Sequence, residues 1–129
     1  MLKVIPFLLL AAAPALAETP VTPEEFEGYA TGRTLSYAAG GQVFGTEQYL
    51  PNRRVVWAFE GEDCQYGRWY PQDDQICFAY EDGDPQCWTF WKKGSGLAAR
   101  YMNDTTGVEL SEVKRSSLPL NCPGPDVGV

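Results

Sequence analysis

From Arg33 onward, apolar and polar residues alternate in short runs separated by Gly, Pro, Asn and Asp. That is the period of half-buried strands punctuated by turns. Thr34 to Ala38 predicts a first strand, turned at Ala39-Gly40-Gly41. Gln42 to Leu50 alternates with Phe44, Thr46, Gln48 and Leu50 on one side. Gly45 inside that run points to a bulge or a close packing contact. After a turn at Pro51-Asn52, Arg53 to Phe59 sets Val55, Trp57 and Phe59 on one face and Val56 and Ala58 on the other. Both faces are apolar, which predicts a central strand. Three more strands follow, Gln65 to Tyr70, Gln75 to Tyr80 and Gln86 to Lys92, joined by the turn sequences PQDD and EDGDP. Leu97 to Met102 and Val108 to Lys114 complete the series. Connections this short imply antiparallel neighbours. The expected fold is mainly β: an up-and-down meander of about eight strands, curled into a small barrel or a folded sheet.

The ends of the chain depart from this pattern. Thr22-Pro23-Glu24-Glu25 is a helix start, with a capping Thr, a Pro at the first helical position and a Glu that reaches back to the cap. Phe26, Tyr29 and Ala30 share a helical face, and Gly32 can end the helix. A helix over 23–31 is too short to stand alone. It is expected to dock through Phe26 and Tyr29 on an edge or end of the sheet, after an exposed leader, Glu18 to Val21. Residues 1–17 read as a secretory signal peptide, with Lys3, an apolar run and Ala15-Leu16-Ala17 as cleavage signal. The run is short of the roughly 20 residues a membrane helix needs. The division expected is a signal peptide over 1–17, one β domain over 18–115 and an irregular Pro/Gly-rich tail over 116–129.

Four cysteines, Cys64, Cys77, Cys87 and Cys122, in an exported chain predict two disulfides. A hairpin around EDGDP sets Cys77 and Cys87 on one face, which favours Cys77–Cys87 with Cys64–Cys122 tying the tail. A hairpin turning at PQDD would set Cys64 on that face as well, so spacing alone leaves the pairing open. The chain has no histidine and no CxxC, and EDGD lacks a full calcium-loop pattern, so neither metal nor cofactor is expected. The net charge of −7 makes nucleic acid a poor partner.

The run Gly67-x-Trp69, Ile76-Cys77-Phe78 and Cys87-Trp88-x-Phe90, followed by the Leu97 strand, resembles the small exported proteobacterial proteins grouped as domain of unknown function 995. The similarity spans about residues 57–101. It implies a secreted small β protein and carries no assigned activity.

Catalytic chemistry has few candidates. No histidine-based triad can form, and paired cysteines leave no thiol. Most carboxylates fall in turns, where they cap and solubilise. Glu47 stands mid-strand beside Gly45, and the spacing predicts a pair with Arg53 or Arg54 across the Pro51-Asn52 turn. Either that is an exposed ion pair of little worth, or it is a polar spot inside a concave sheet with an arginine for an anionic ligand. Aromatics crowd the strands; Tyr66, Tyr70 and Tyr80 with Arg68 are expected to form a contact row suited to glycan or peptide. The candidate binding residues are therefore Glu47, Arg53, Arg54, Tyr66, Arg68, Tyr70 and Tyr80. The expected function is non-catalytic: a monomeric periplasmic or secreted bacterial protein that binds a small molecule, glycan or envelope protein. A small protein inhibitor of a hydrolase is the alternative, and a carboxylate-dependent hydrolase the third reading. A closed barrel with an interior gap would favour the small molecule. Two converging acids would favour the enzyme.

Overall fold

The computed structural model describes residues 1–3, 18–102, 104 and 107–122. The expected signal segment lies almost wholly outside the described residues, as does the tail beyond Cys122. Among the described residues no helix is long and apolar enough to cross a membrane.

The eight strands form a closed antiparallel barrel in sequence order. They are β1 (Thr34–Ala39), β2 (Gln42–Tyr49), β3 (Arg54–Phe59), β4 (Gln65–Gln72), β5 (Gln75–Tyr80), β6 (Gln86–Lys93), β7 (Gly96–Tyr101) and β8 (Leu110–Ser116). Closure comes from β8 pairing back on β1, from Thr34 opposite Ser116 to Ala39 opposite Leu110. Of the two forms expected, the closed one forms: β8 pairing on β1 removes the two outer edges that an open sheet would leave. The last strand begins two residues later than its apolar pattern suggested.

Alternation along each strand fills the interior with Leu35, Tyr37, Tyr49, Val55, Trp69, Ile76, Phe78, Phe90, Leu97, Ala99 and Leu110. One end of that interior is stoppered by helix α1 (Pro23–Ala30). Thr22 accepts from the Glu25 amide at 3.1 Å, while the Glu25 carboxylate takes the Thr22 amide at 3.2 Å, which closes the expected capping box. Gly32 follows the helix at φ 85°, a left-handed conformation that lets the chain turn directly into β1. The helix drives Phe26 fully out of solvent, with ring centroids 4.9–5.5 Å from those of Phe90, Trp69 and Tyr49. Tyr29, the second docking residue, donates to both carboxylate oxygens of Glu112 on β8, at 2.7 and 2.9 Å.

The leader differs from expectation. Val21 is buried, its amide donates to the Phe90 carbonyl at 2.8 Å, and Pro20 bridges Trp91. The physical reason is a gap in the ladder. β5 covers β6 only from Trp88 back to Gln86, so the rest of that β6 edge needs a partner, and the leader supplies it.

Both disulfides form as favoured: Cys77–Cys87 and Cys64–Cys122. Cys77 and Cys87 stand directly opposite each other on β5 and β6. Cys64–Cys122 closes 58 residues and holds the irregular tail against the outside of the barrel, where the Leu120 amide donates to the Gln48 side chain at 3.1 Å. Replacing Cys64 and Cys122 together by Ala should cost about 2–4 kcal/mol, mostly through a freer unfolded chain. Urea melts of the double variant against the parent measure it; a loss under about 0.5 kcal/mol would mean the tail is held without the bridge.

Candidate functional site

The end of the barrel opposite α1 opens into a cavity of about 50 Å³. Its walls come from almost the whole ring: Phe44 on β2, Trp57 and Phe59 on β3, Phe78 and Tyr80 on β5, Gln86 and Trp88 on β6, with Tyr37, Glu47 and Tyr49 deeper in. Phe44, Trp57 and Phe59 form one aromatic cluster at the mouth, with centroids 5.3–5.8 Å apart. Across the lumen, Trp88 meets Tyr101 edge-on at 5.2 Å.

Two local features shape the β2–β3 side. Tyr37 pairs with Gly45 but Ala38 pairs with Val43, so Phe44 is an unpaired bulge residue. The bulge breaks strict alternation and lets Phe44 join the mouth beside inward-facing Gly45. Gly45 itself is required by packing. A Cβ there would collide with the Trp57 ring and lie 2.7 Å from the Ala58 carbonyl oxygen. The expected bulge and the expected close contact are therefore both present, one residue apart.

Glu47 is the chemical centre. It is 2% exposed, on the inward face of β2 opposite Trp57. The Tyr80 hydroxyl donates to its Oε1 at 2.7 Å, while Oε2 is buried and has no hydrogen-bond partner. Burial raises the carboxyl pKa from 4.5 to about 8, only partly opposed by the Tyr80 bond. At neutral pH the group is therefore mostly a neutral acid that can donate as well as accept. Tyr37 and Tyr49, also buried, share a hydroxyl hydrogen bond of 2.9 Å. Burial pushes all three tyrosine hydroxyls upward, and for Tyr80 the Glu47 charge adds to it.

The structure divides the residues expected from sequence. It unites Glu47 and Tyr80, but through the lumen rather than along a surface. Neither arginine reaches Glu47, because β2 and β3 pair in a register that opposes Glu47 to Trp57. Arg53 lies in the turn before β3, where Asn52 and Arg53 take φ 63° and 59°. Its guanidinium stacks 4.5 Å over the Trp69 ring and reaches Glu27 of α1 at 3.4 Å. Arg54 is exposed and stands opposite Arg68. The tyrosine row is likewise broken. Tyr80 pairs with Gly67 on the inward parity, so Tyr66, Arg68 and Tyr70, of the other parity, face outward without it.

Tyr37, Tyr49, Trp57, Trp88 and Gln86 also line the cavity and were not expected there. A usable signal existed: Glu47 shares its parity with Tyr49 and Gly45, which sets an acid on an otherwise apolar face. Glu112 had no such signal. Its side chain is 3% exposed and is held by Tyr29 and, at 2.9 Å, by Arg115. Glu112 belongs to the stoppered end, so among the described residues the cavity lining holds one carboxyl, that of Glu47. A two-carboxylate hydrolysis needs a second acid a fixed distance away.

A scan against protein-family models matched none, and neither a curated protein nor a solved structure matched the chain.

Proposed function

We propose that this chain is an exported, non-catalytic binding protein of the bacterial envelope that holds a small molecule in the mouth of its barrel. The observation carrying this reading is the aromatic-walled cavity with the buried Glu47–Tyr80 pair on its floor. Eight-stranded barrels are just wide enough to hold one small ligand, and apolar walls with a few convergent polar groups are what such sites need. The volume decides the scale. Pockets for drug-sized ligands run to several hundred Å³, so about 50 Å³ suits the head of a compact ligand whose body rests between the mouth aromatics. Export is supported by the amino-terminal pattern and by two disulfides, which persist in oxidising compartments. The resemblance to the domain of unknown function 995 proteins implies the same setting.

The test is a titration with 2-phenylethanol followed by amide and indole NMR shifts. Saturable shifts are expected at Phe44, Trp57, Phe59, Tyr80 and Trp88. Shifts confined to the outer Tyr66–Tyr70 face, or no saturable response to this alcohol or its amine analogue, would overturn the reading.

A further inference from the structure

Glu47 has a hydrogen-bonding deficit that the protein does not fill. Either protonation state of a carboxyl group calls for partners on both oxygens, and Glu47 has Tyr80 on Oε1. Its Oε2 is buried beside the cavity with no partner. Native structures rarely leave a buried polar atom unpaired, because the desolvation cost is then uncompensated.

The groups around it define what is missing. β1 contributes Tyr37, β2 Tyr49 and β5 Tyr80, and these are the other titratable side chains of the lining. β3 supplies Trp57 and Phe59, β6 Gln86, Trp88 and Phe90, β7 Ala99 and β8 Leu110, all uncharged. Among the described residues no lysine or arginine lines the cavity.

We propose that the ligand is a small primary ammonium on a compact apolar body, its nitrogen donating to Glu47 Oε2 and its body held between Phe44, Trp57 and Trp88. This rests on the binding reading above and adds the ligand class. Three observations converge on a cation. The unpaired atom belongs to the single acid of the lining among the described residues. Trp57, Tyr80 and Trp88 line the same cavity, and the negative faces of aromatic rings favour cations over anions. The chain carries a net charge of −7, which concentrates cations near it and repels anions. An ammonium also has three donors, enough for Glu47 and for the lone pairs left on the tyrosine hydroxyls.

The proton balance gives a signature. Near neutral pH the empty site holds Glu47 mostly protonated. Binding forms a carboxylate–ammonium pair, so the carboxyl proton leaves to solvent while the ligand stays charged. A neutral ligand that merely accepts from the protonated carboxyl releases nothing.

The experiment compares phenethylammonium with its neutral isostere 2-phenylethanol at pH 6.5, on the parent chain and on Glu47→Gln, in weakly buffered solution with a pH electrode. The parent is expected to bind the amine about tenfold or more tighter than the alcohol, releasing roughly one proton per amine bound. Glu47→Gln should lose about thirtyfold or more of the amine affinity, no longer prefer the amine to the alcohol, and release no proton. Its fold is checked by the NMR shifts of residues remote from the cavity. Equal binding of alcohol and amine, or amine binding that survives in Glu47→Gln, would overturn the ammonium assignment and leave the binding reading standing. If neither compound binds the parent, both fall.

Discussion

Glu47→Gln is expected to be more stable than the parent at pH 9 by on the order of 4–5 kcal/mol, and nearly equal to it at pH 4. The carboxyl pKa is raised from 4.5 in the open chain to about 8 in the fold. Below pH 4.5 both states hold the proton, and the group adds no penalty. Between 4.5 and 8 the unfolded chain releases it while the folded chain keeps it, so stability falls by about 1.4 kcal/mol per pH unit. Above 8 both states are ionised and the loss is complete. Glutamine keeps the shape and an oxygen for Tyr80 but has no proton to lose, so the slope attributable to residue 47 disappears. Every other titratable group is common to parent and variant, so the difference between urea melts at a series of pH values isolates residue 47. A difference that does not grow with pH would mean Glu47 ionises in the fold at its usual pKa. A saturating ammonium ligand should flatten the parent's slope, since it stabilises the ionised form.

Trp69→Ala should destabilise the chain by about 3–5 kcal/mol. Trp69 is 2% exposed and meets Phe26 edge-on at 5.1 Å, with the Arg53 guanidinium 4.5 Å over its ring. Removing the indole leaves a void at the stoppered end. It also takes away the surface on which a two-turn helix depends, since such a helix has no stability of its own. Hydrogen exchange of the Phe26 amide, bonded to the Thr22 carbonyl at 2.9 Å, should therefore quicken more than that of the central strands. A loss below 1 kcal/mol in denaturant melts would refute the role given to Trp69, and the cavity mouth should be unaffected in either case.

Local chemistry made most of the scaffold legible. Period-two runs placed all eight strands, because alternation follows from the pleat alone. The cap at Thr22 and the stop at Gly32 were readable because both act within one turn of helix. The Cys77–Cys87 pair was favoured because a single hairpin brings the two together. Contacts that join distant strands were not legible. Arg53 was expected near Glu47 through a short turn, yet Trp69 and Glu27 hold it at the stoppered end. The burial of Val21 is not legible either, because nothing in Glu18 to Val21 reveals that β6 has an open edge to fill.

An antiparallel β chain of eight short strands, a capped docking helix, two disulfides and a conspicuous acid in mid-strand all follow from residue types along the chain. That the sheet closes depends on contacts between distant strands, and closure makes the site. Glu47 and Tyr80 are 33 residues apart and sit on strands that are not neighbours; they meet because the ring brings their inward faces together across the lumen. The bulge at Phe44 then adds to the mouth a side chain that alternation would have turned away. Parity along a strand is a local property, readable from residue types. Which parity faces inward, and what stands opposite, depends on how many strands close the ring and in what register, and that is fixed by the packing of the whole chain.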